Sequence, residues 1–341
     1  MVTDREIWGV KERQKGILLA KANVVGVGVG YKFRRGLRTG SVCVVALVRV
    51  KRPRDQLPAR DLVPSDVEGV ATDVVEVGEL RPLQSPTDRW RPAPGGVSLG
   101  HPSITAGTLA TVVRDRESGR RLILSNNHVL ADSNRGAPGD EILQPGAADG
   151  GRPGRDEIAR LERFVPITFS LDTATCPVAQ GVAGIATGVA RAIGSKHQLV
   201  AIQVDEDATN EVDAAVATPL ADDLVSDEIH EVGVVLGLGT RDPELGLAVV
   251  KSGRSTGRTA GEITVLSATV DVNYGDSPLE DRIARYENQI VTGEMSAPGD
   301  SGSLLVDAGS HRAVGLLYAG SDRITLHNPI TRVLALLDLE I

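Results

Sequence analysis

Residues 296–307 read SAPGDSGSLLVD, a turn rich in proline and glycine that leads directly into an apolar strand. A serine hydroxyl is a weak nucleophile that needs a positioned base, and its acyl transition state needs hydrogen-bond donors for a developing oxyanion. Glycine suits such a turn because it tolerates unusual dihedrals and a close approach of the backbone. The turn therefore predicts Ser301 as a nucleophile and the backbone N–H groups of Gly299 and Ser301 as oxyanion donors.

The predicted base for this serine is His128, which follows the apolar strand RLILSNN and precedes VLA, at the rim of a core. The predicted orienting acid is Asp213 in NEVDAAVATPL, a lone carboxylate followed at once by an apolar strand. A buried Asp that accepts the Nδ1–H of a histidine fixes its tautomer and stabilises the imidazolium. Asp172, Asp205 and Asp207 are alternative acids, the last two in an acidic segment predicted to be exposed.

The composition indicates a folded, strand-rich protein. The chain has 341 residues, of which 41% are hydrophobic and 3% aromatic, with 38 glycines and 18 prolines. This length suggests about two domains, and the many Val, Ala and Thr residues favour short strands separated by turns. The formal net charge is −8 and no basic block is interleaved with aromatic residues, so a nucleic-acid partner is not expected.

Charges interrupt every apolar segment near the start of the chain, where Lys15 and Lys21 flank GILLA. This pattern is typical neither of a signal peptide nor of a membrane span. We therefore expect a cytoplasmic location without a membrane partner.

No motif for a metal or an organic cofactor is found. Cys43 and Cys176 are far apart, and the six histidines show no paired spacing, so neither a disulfide framework nor a zinc site is expected. The glycines of NVVGVGVGYK alternate with valine at the strand period, and GRSTGRT at 253–259 lacks the Gly-Lys-Ser/Thr ending of a phosphate loop. The sequence therefore predicts that no cofactor is required.

Residues 1–80 are predicted to form a small α/β domain. Loose helical spacing of apolar residues predicts a helix over 5–22. The β-rich segments 23–33 and 41–50 predict a hairpin, and VATDVVEVGEL at 70–80 predicts a third strand.

A linker is predicted over 81–97, which holds four prolines and two glycines, and a second domain over 98–341. The second domain consists of short strands at regular intervals, which favours a sandwich or a barrel. An alanine-rich segment near 174–196 predicts a helical insertion, and TRVLALLDLEI predicts a C-terminal helix.

With SNNHVL, VDAAVA and GDSGSLLV in the order His, Asp, Ser, the chain resembles the trypsin-like (chymotrypsin-fold) serine peptidases. More narrowly, NVVGVGVGYK, RPAPGGVSLGH, LSNNHVLAD, ILQPGAADGG and KSGRSTGRTAGEI are similar to the intracellular bacterial and plant branch that includes the plant narrow-leaf proteins. In that branch a small N-terminal α/β domain precedes the peptidase domain. The resemblance covers most of the chain.

The resemblance implies a mainly β fold, a chymotrypsin-like double β-barrel with the active site in the cleft between the barrels. It implies His128 as the base, Asp213 as the orienter and Ser301 as the nucleophile, with oxyanion donors from Gly299 and Ser301. A possible homo-oligomer is implied by analogy alone.

The segment AVGLLYAGS resembles the strand that pairs with the substrate backbone and walls the specificity pocket. The resemblance implies Tyr318, Ala319 and Gly320 as substrate-binding residues. Met295 stands six residues before Ser301, where relatives with basic specificity carry an acid. A preference for Lys or Arg is therefore not expected.

Two features depart from the family pattern. His128 and Asp213 are 85 residues apart, a longer spacing than usual, and the predicted insertion near 174–196 accounts for the excess. Many secreted relatives are activated when a new N-terminal ammonium pairs with the Asp before the nucleophile. No activation site is evident before the barrel domain of this chain, so Asp300 needs another partner or the enzyme is regulated differently.

The function that these patterns indicate is a serine endopeptidase that hydrolyses protein or peptide substrates through an acyl-enzyme. Two alternatives remain open. The chain is a non-catalytic scaffold or binding protein that has kept the fold, or a latent enzyme regulated by its N-terminal domain.

Overall fold

The computed structural model describes residues 4–34, 36–78, 84–174, 176–239, 242–275 and 282–341. The chain divides into two compact units, Met1–Gln84 and Ser85–Ile341. Each unit has its own core and is described by itself.

The N-terminal unit is a four-stranded sheet with one helix. Its elements are α1 (Asp4–Leu19), β1 (Val24–Arg34), β2 (Leu37–Val48), β3 (Asp66–Val67) and β4 (Val70–Glu76), with 3-10 turns at Arg54–Gln56 and Ala59–Asp61. The strand order is β1-β2-β4-β3, with β2 and β4 parallel and the other pairs antiparallel.

The elements predicted for the first domain are present in this unit. The predicted helix is α1, which buries Ile7, Val10 and Leu18 against Val44 of β2. The predicted hairpin is β1 and β2, and the third strand is β4, which ends at Glu76. Residues 79 and 80 of that predicted strand lie outside the described residues.

The second unit is built mainly from strands. The first ten of these are β5 (Ala93–Gly95), β6 (Ser98–Leu99), β7 (Gly107–Thr108), β8 (Thr111–Asp115), β9 (Arg121–Ser125), β10 (Glu141–Leu143), β11 (Glu157–Phe164), β12 (Leu171–Thr173), β13 (Ile202–Val204) and β14 (Ala215–Pro219). The later strands are β15 (Val225–Ile229), β16 (Gly233–Val234), β17 (Ala248–Gly253), β18 (Gly257–Asn273), β19 (Ile283–Gly293), β20 (Leu304–Asp307), β21 (Ala313–Gly320), β22 (Ile324–Pro329) and β23 (Leu339–Glu340). The helices are α2 (Asn127–Leu130), α3 (Pro177–Ala192) and α4 (Ile330–Leu336), with 3-10 turns at Ala147–Asp149 and Asp222–Leu224.

The second unit begins earlier than the predicted linker allows. Residues 85–97 belong to this unit, since β5 pairs in parallel with β15 and Ala93 is fully buried. Residues 81–83 of the predicted linker lie outside the described residues. The prolines and glycines of this stretch therefore lie in a folded and partly buried segment, not in a free connection.

Strands β7 to β11 and β14 form a first antiparallel barrel together with β6. The ladder runs β10-β11-β14-β9-β8, and β7 continues into β8 after two residues. β6 pairs with β7, and the bridge between Gly100 and Leu143 joins the end of β6 to β10. The ring of pairings is therefore closed.

Strands β17 to β22 form a second antiparallel barrel. The ladder runs β19-β18-β17-β20-β21-β22, and β19 also pairs with β22, so that the six strands close on themselves. A closed barrel leaves no edge strand within the ring. The mainly β class that the sequence predicts and the double β-barrel that the resemblance implies are confirmed.

Apolar side chains of both barrels meet in a shared core. Leu124 and Val216 of the first barrel pack with Leu304 and Leu316 of the second, all fully or almost fully buried.

The predicted helical insertion is present as α3, between β12 and β13. The predicted C-terminal helix is shorter than expected. α4 ends at Leu336, Asp338 adopts a left-handed φ of 52°, and β23 then pairs with β8 of the first barrel. Burial of Leu339 in the shared core accounts for this return of the chain.

Among the helices of the described residues, none is long and apolar enough to cross a membrane.

Candidate active site

His128 is held by Asp213 at two points, the imidazole and the backbone N–H. His128 lies on α2, the single turn that follows β9, and its Nδ1 is 2.5 Å from Asp213 Oδ2. The His128 backbone N–H also donates to Asp213 Oδ1, at 3.2 Å. A carboxylate can only accept, so the proton is on Nδ1 and Nε2 is left as an acceptor. This is the state in which a histidine can take a proton from a hydroxyl.

The backbone of Asp213 is hydrogen-bonded to one side chain from each barrel. Its carbonyl oxygen accepts from Asn126 Nδ2 at 2.7 Å and from Asn328 Nδ2 at 3.1 Å, and its N–H donates to Asn328 Oδ1 at 3.1 Å. All three side chains are fully buried. The backbone that carries the carboxylate is therefore rigidly placed beneath His128.

The alternative acids lie elsewhere. Asp172 pairs with Arg282 at 3.0 Å, and the Asp205 carboxylate accepts from the backbone N–H of Asp207 in an exposed turn. Of the four acids considered, Asp213 is the one that contacts His128.

Ser301 is held between the barrels by backbone hydrogen bonds. Its carbonyl oxygen accepts from the Thr108 N–H at 2.7 Å, and the Gly302 N–H donates to the Leu317 carbonyl at 2.8 Å. A Cβ on Gly107 would lie 2.5 Å from Val129 Cγ2 and 3.1 Å from Ser301 O. Because Gly107 has no side chain, the segment that carries Ser301 can pack closely against the segment that carries His128.

The turn around Ser301 leaves two backbone donors unused. The Asp300 N–H donates to the Ala297 carbonyl at 3.0 Å, whereas within the described residues the N–H groups of Gly299 and Ser301 have no acceptor. Gly299 has a φ of 97°, a conformation that favours glycine. Free N–H groups on either side of Asp300 are what an oxyanion requires.

The hydroxyl of Ser301 donates to the carbonyl oxygen of Tyr318 at 3.3 Å, and it makes no hydrogen bond with His128 in the described structure. Tyr318 lies at an irregularity between β21 and β22, where the register shifts between Leu317 and Ala319. Catalytic hydrogen bonds are often long or misaligned without substrate and tighten when it binds. Ser301 therefore lies next to the segment that carries His128, but its hydroxyl is not hydrogen-bonded to the imidazole.

Asp300 has an internal partner that the sequence did not reveal. Its carboxylate lies 2.9 Å from Lys251 Nζ, and both side chains are fully excluded from solvent. Burial works to raise the pKa of Asp300, but Lys251 and the donors of Thr256 and Ala297 outweigh it and hold the pKa below its usual value. The lone lysine in the apolar strand LAVVKSG was the only signal of this pair.

The predicted substrate-binding residues lie at the end of β21. The Tyr318 side chain is buried in the barrel, so only its backbone is beside Ser301. Ala319 is half-buried and Gly320 is exposed. A Cβ on Gly320 would lie 2.9 Å from Ser296 Oγ, which places β21 close to the segment before the nucleophile.

Met295 is buried at the base of that segment. Its N–H donates to Thr325 Oγ1 at 3.2 Å, and its carbonyl accepts from Thr259 Oγ1 at 2.7 Å. Its sulfur would lie 3.1 Å from a Cβ on Gly261. The side chain at position 295 is therefore an apolar thioether that carries no charge.

Among the described residues, no group of three or more His, Cys, Asp and Glu side chains is arranged to hold a metal ion.

Comparison with curated proteins gives one partial match. Streptogrisin-A from Streptomyces griseus is 38% identical over 96 residues, which are 27% of this chain and 29% of that protein. The match thus spans less than a third of the curated relative. No protein-family profile matches the chain. The chain is similar, over the matched segment, to a chymotrypsin-fold serine protease.

Solved structures of similar proteins share little sequence. The Nocardiopsis protease NAPase is 16% identical, with a TM-score of 0.45, covering 72% of this chain and 97% of that one. Thermobifida fusca Protease A is 16% identical, with a TM-score of 0.44 and coverages of 72% and 96%.

Proposed function

We propose that this protein is a serine endopeptidase that cleaves peptide bonds through a Ser-His-Asp triad of Ser301, His128 and Asp213. The observation that carries the proposal is the buried Asp213 carboxylate, which accepts from both the backbone N–H and the Nδ1–H of His128. This arrangement supports His128 Nε2 as the group that accepts the proton of Ser301.

In the first step, Ser301 Oγ attacks the carbonyl carbon of the scissile peptide bond and His128 Nε2 takes the hydroxyl proton. The carbonyl oxygen becomes an oxyanion and receives the N–H groups of Gly299 and Ser301. The imidazolium is stabilised by Asp213. The C–N bond then breaks, the leaving amine takes the proton from His128, and an acyl-Ser301 ester remains.

In the second step, water attacks the ester carbonyl and gives a proton to His128 Nε2. The C–Oγ bond breaks, Ser301 Oγ regains the proton, and the carboxylic product leaves. The net reaction consumes one water for each peptide bond, so no redox partner is involved.

A fluorophosphonate probe tests this proposal, because it phosphonylates only a serine that is activated by an assembled site. We expect wild-type protein to be labelled at Ser301, as located by peptide mass spectrometry. Ser301→Ala and His128→Ala should lose labelling and peptide hydrolysis by several orders of magnitude. Ser310→Ala, in an exposed hairpin turn, is the matched control and should label as wild type.

A second candidate function is favoured by the bond from Ser301 Oγ to the Tyr318 carbonyl. It is a latent or non-catalytic protein with the same fold, regulated by its N-terminal domain. Well-folded wild type that is not labelled would support it. Limited proteolysis at the junction of the two units, near Gln84, followed by labelling separates the two forms, because a latent enzyme gains labelling and a scaffold does not.

The proposed substrate is a peptide or protein without a basic residue at the cleavage site. Met295 supports this, because a buried thioether offers no counter-charge to Lys or Arg. A peptide library should show cleavage after apolar residues, and cleavage after Lys or Arg at comparable rates would contradict the assignment. The homo-oligomer, the cytoplasmic location and the similarity to the intracellular bacterial and plant branch stay predictions.

A further inference from the structure

Three of the four tyrosines of this chain lie together behind Asp213. The ring centroids of Tyr274 and Tyr286 are 6.4 Å apart, and those of Tyr286 and Tyr318 are 4.8 Å apart. Phe169 packs edge-on against Tyr274 at 5.9 Å. A chain with only 3% aromatic residues has thus placed most of its phenols beside one carboxylate.

The hydroxyl of Tyr274 is 2.8 Å from Asp213 Oδ2 and 2.8 Å from the hydroxyl of Tyr286. The carboxylate can only accept, so Tyr274 donates its single proton to Asp213. The Tyr274 oxygen must then accept from Tyr286. The direction of the chain is therefore Tyr286 to Tyr274 to Asp213.

Asp213 Oδ2 is the same oxygen that receives the Nδ1–H of His128. The His128 and Tyr274 rings are packed edge-to-face, with centroids 5.7 Å apart. Two donors, one from α2 and one from the residue that follows β18, therefore converge on a single carboxylate oxygen. The other oxygen is occupied by the His128 N–H.

The hydroxyl of Tyr274 keeps its proton near neutral pH and therefore stays a hydrogen-bond donor. Burial raises the pKa of its hydroxyl well above the usual range, and the charge of Asp213 adds to this effect. Burial likewise raises the pKa of Tyr286. Neither phenol loses its proton near neutral pH.

We propose that Tyr274 is a positioning residue for the triad, with its hydroxyl, itself oriented by Tyr286, fixing Asp213 Oδ2 against His128 and drawing charge from the carboxylate. This inference rests on the proposed peptidase function. A donor to an anion lowers the proton affinity of that anion and of any group coupled to it.

No other charged side chain contacts Asp213 in the described structure. The groups that face Asp213 are one imidazole, three phenols and two neutral amides. They belong to His128, to Tyr274, Tyr286 and Tyr318, and to Asn126 and Asn328. Arg282 forms an ion pair with Asp172, and its guanidinium carbon lies 4.0 Å from the centre of the Phe169 ring, which packs against Tyr274. The loss of one phenol hydroxyl is therefore not masked by a neighbouring cation.

Tyr274→Phe is the decisive substitution, since it keeps the ring and removes only the hydroxyl. The pair should take up a proton at higher pH, by about one to two units, on the scale of one hydrogen bond to a charged group. The acid limb of kcat/KM should move up by the same amount, and kcat should fall about ten-fold. KM should change little, because Tyr274 does not touch substrate. Tyr286→Phe should shift the acid limb in the same direction by less, because its hydroxyl acts through Tyr274.

The experiment is an NMR titration of ¹⁵N-histidine-labelled protein, with the His128 signals assigned from His128→Ala, run together with turnover measurements. An unchanged His128 titration midpoint in folded Tyr274→Phe would overturn the proposal. A different result would show that Tyr274 only packs the core. In that case Tyr274→Leu would be less stable than wild type, while Tyr274→Phe would match wild type in both the His128 titration and kcat. The titration does not need turnover, so an inactive wild type would contradict the peptidase function and leave this test intact.

Discussion

Lys251 Nζ and Asp300 form an ion pair of 2.9 Å in which both side chains are fully buried. The lysine is on β17 and the aspartate is directly before Ser301, so the pair ties the second barrel to the turn that carries the nucleophile. Asp300 Oδ1 also accepts the Ser255 N–H at 2.8 Å, and Oδ2 accepts the Ala297 N–H at 3.0 Å. The turn is therefore shaped around a charge that lies inside the protein.

Replacing Lys251 by Met should destabilise the protein by about 3–5 kcal/mol, because it leaves Asp300 buried without a counter-charge. Burial lowers the pKa of Lys251 while Asp300 opposes this, so the ammonium depends on its partner. Urea unfolding measures the loss. The double variant Lys251→Met/Asp300→Asn should recover part of the stability, because no unpaired charge remains. A single variant as stable as the double variant would contradict the pairing.

His327 should make the fold sensitive to mild acid. Burial, with a smaller contribution from Lys251, lowers the pKa of His327 to about 3. An unfolded histidine takes up a proton near pH 6.5, so between these values the unfolded state binds one proton more and stability falls as pH falls. Between about pH 7.5 and pH 5 this amounts to about 2 kcal/mol.

The check for His327 is urea unfolding at both pH values. His327→Gln should remove that part of the pH dependence while keeping a polar partner for Thr292, which is 3.0 Å from Nε2. His197→Gln, at an exposed position, is the control and should behave as wild type. A wild type and a His327→Gln variant with equal pH slopes would refute the assignment.

Gly302→Ala should prevent normal folding or cost several kcal/mol. Gly302 has a φ of 97°, and a Cβ there would lie 2.1 Å from Thr108 O and 2.2 Å from Ser125 Oγ. Neither neighbour can move easily, since Thr108 O accepts the Ser125 hydroxyl at 2.7 Å. Gly293→Ala is the matched control, because nothing lies within 4 Å of its Cβ position. Thermal unfolding should show Gly293→Ala near wild type, and comparable melting of both variants would be unexpected.

Asn328→Ala should cost about 1–3 kcal/mol, because it leaves the buried N–H of Asp213 without an acceptor. The carboxylate should also lose its fixed position, so that kcat falls while KM is retained. Denaturation and turnover assays test the two parts separately. Loss of stability with unchanged kcat would show that Asn126 alone holds Asp213.

Several features of the fold could be predicted from short stretches of the sequence. The turn SAPGDSGSLLVD, the strand end SNNHVL and the segment VDAAVA each carry their chemistry within a few neighbouring residues, and the structure brings two of the predicted side chains, His128 and Asp213, into direct contact. The helix α1 and the hairpin of β1 and β2 follow from apolar periodicity for the same reason. Local signals predict local elements well, because both arise from the same stretch of chain.

Local pattern failed where an element depends on a distant partner. Residues 85–97 resemble a linker by composition, yet β5 pairs with β15, which is more than a hundred residues away in the chain. The C-terminal helix stops early because Leu339 finds a place in the core between the barrels. Composition carries no information about which distant strand offers a free edge.

By itself, the sequence determined the mainly β class, the candidate nucleophile Ser301, its candidate base His128 and the acid Asp213 that the structure places beside that base. Only the tertiary structure showed that Lys251 neutralises Asp300 and that Tyr274 donates to Asp213. A lysine in a strand and a tyrosine at a strand end have many compatible environments. The partner of each is decided by strand pairing and by the packing of the two barrels, which bring together side chains 49 and 61 residues apart.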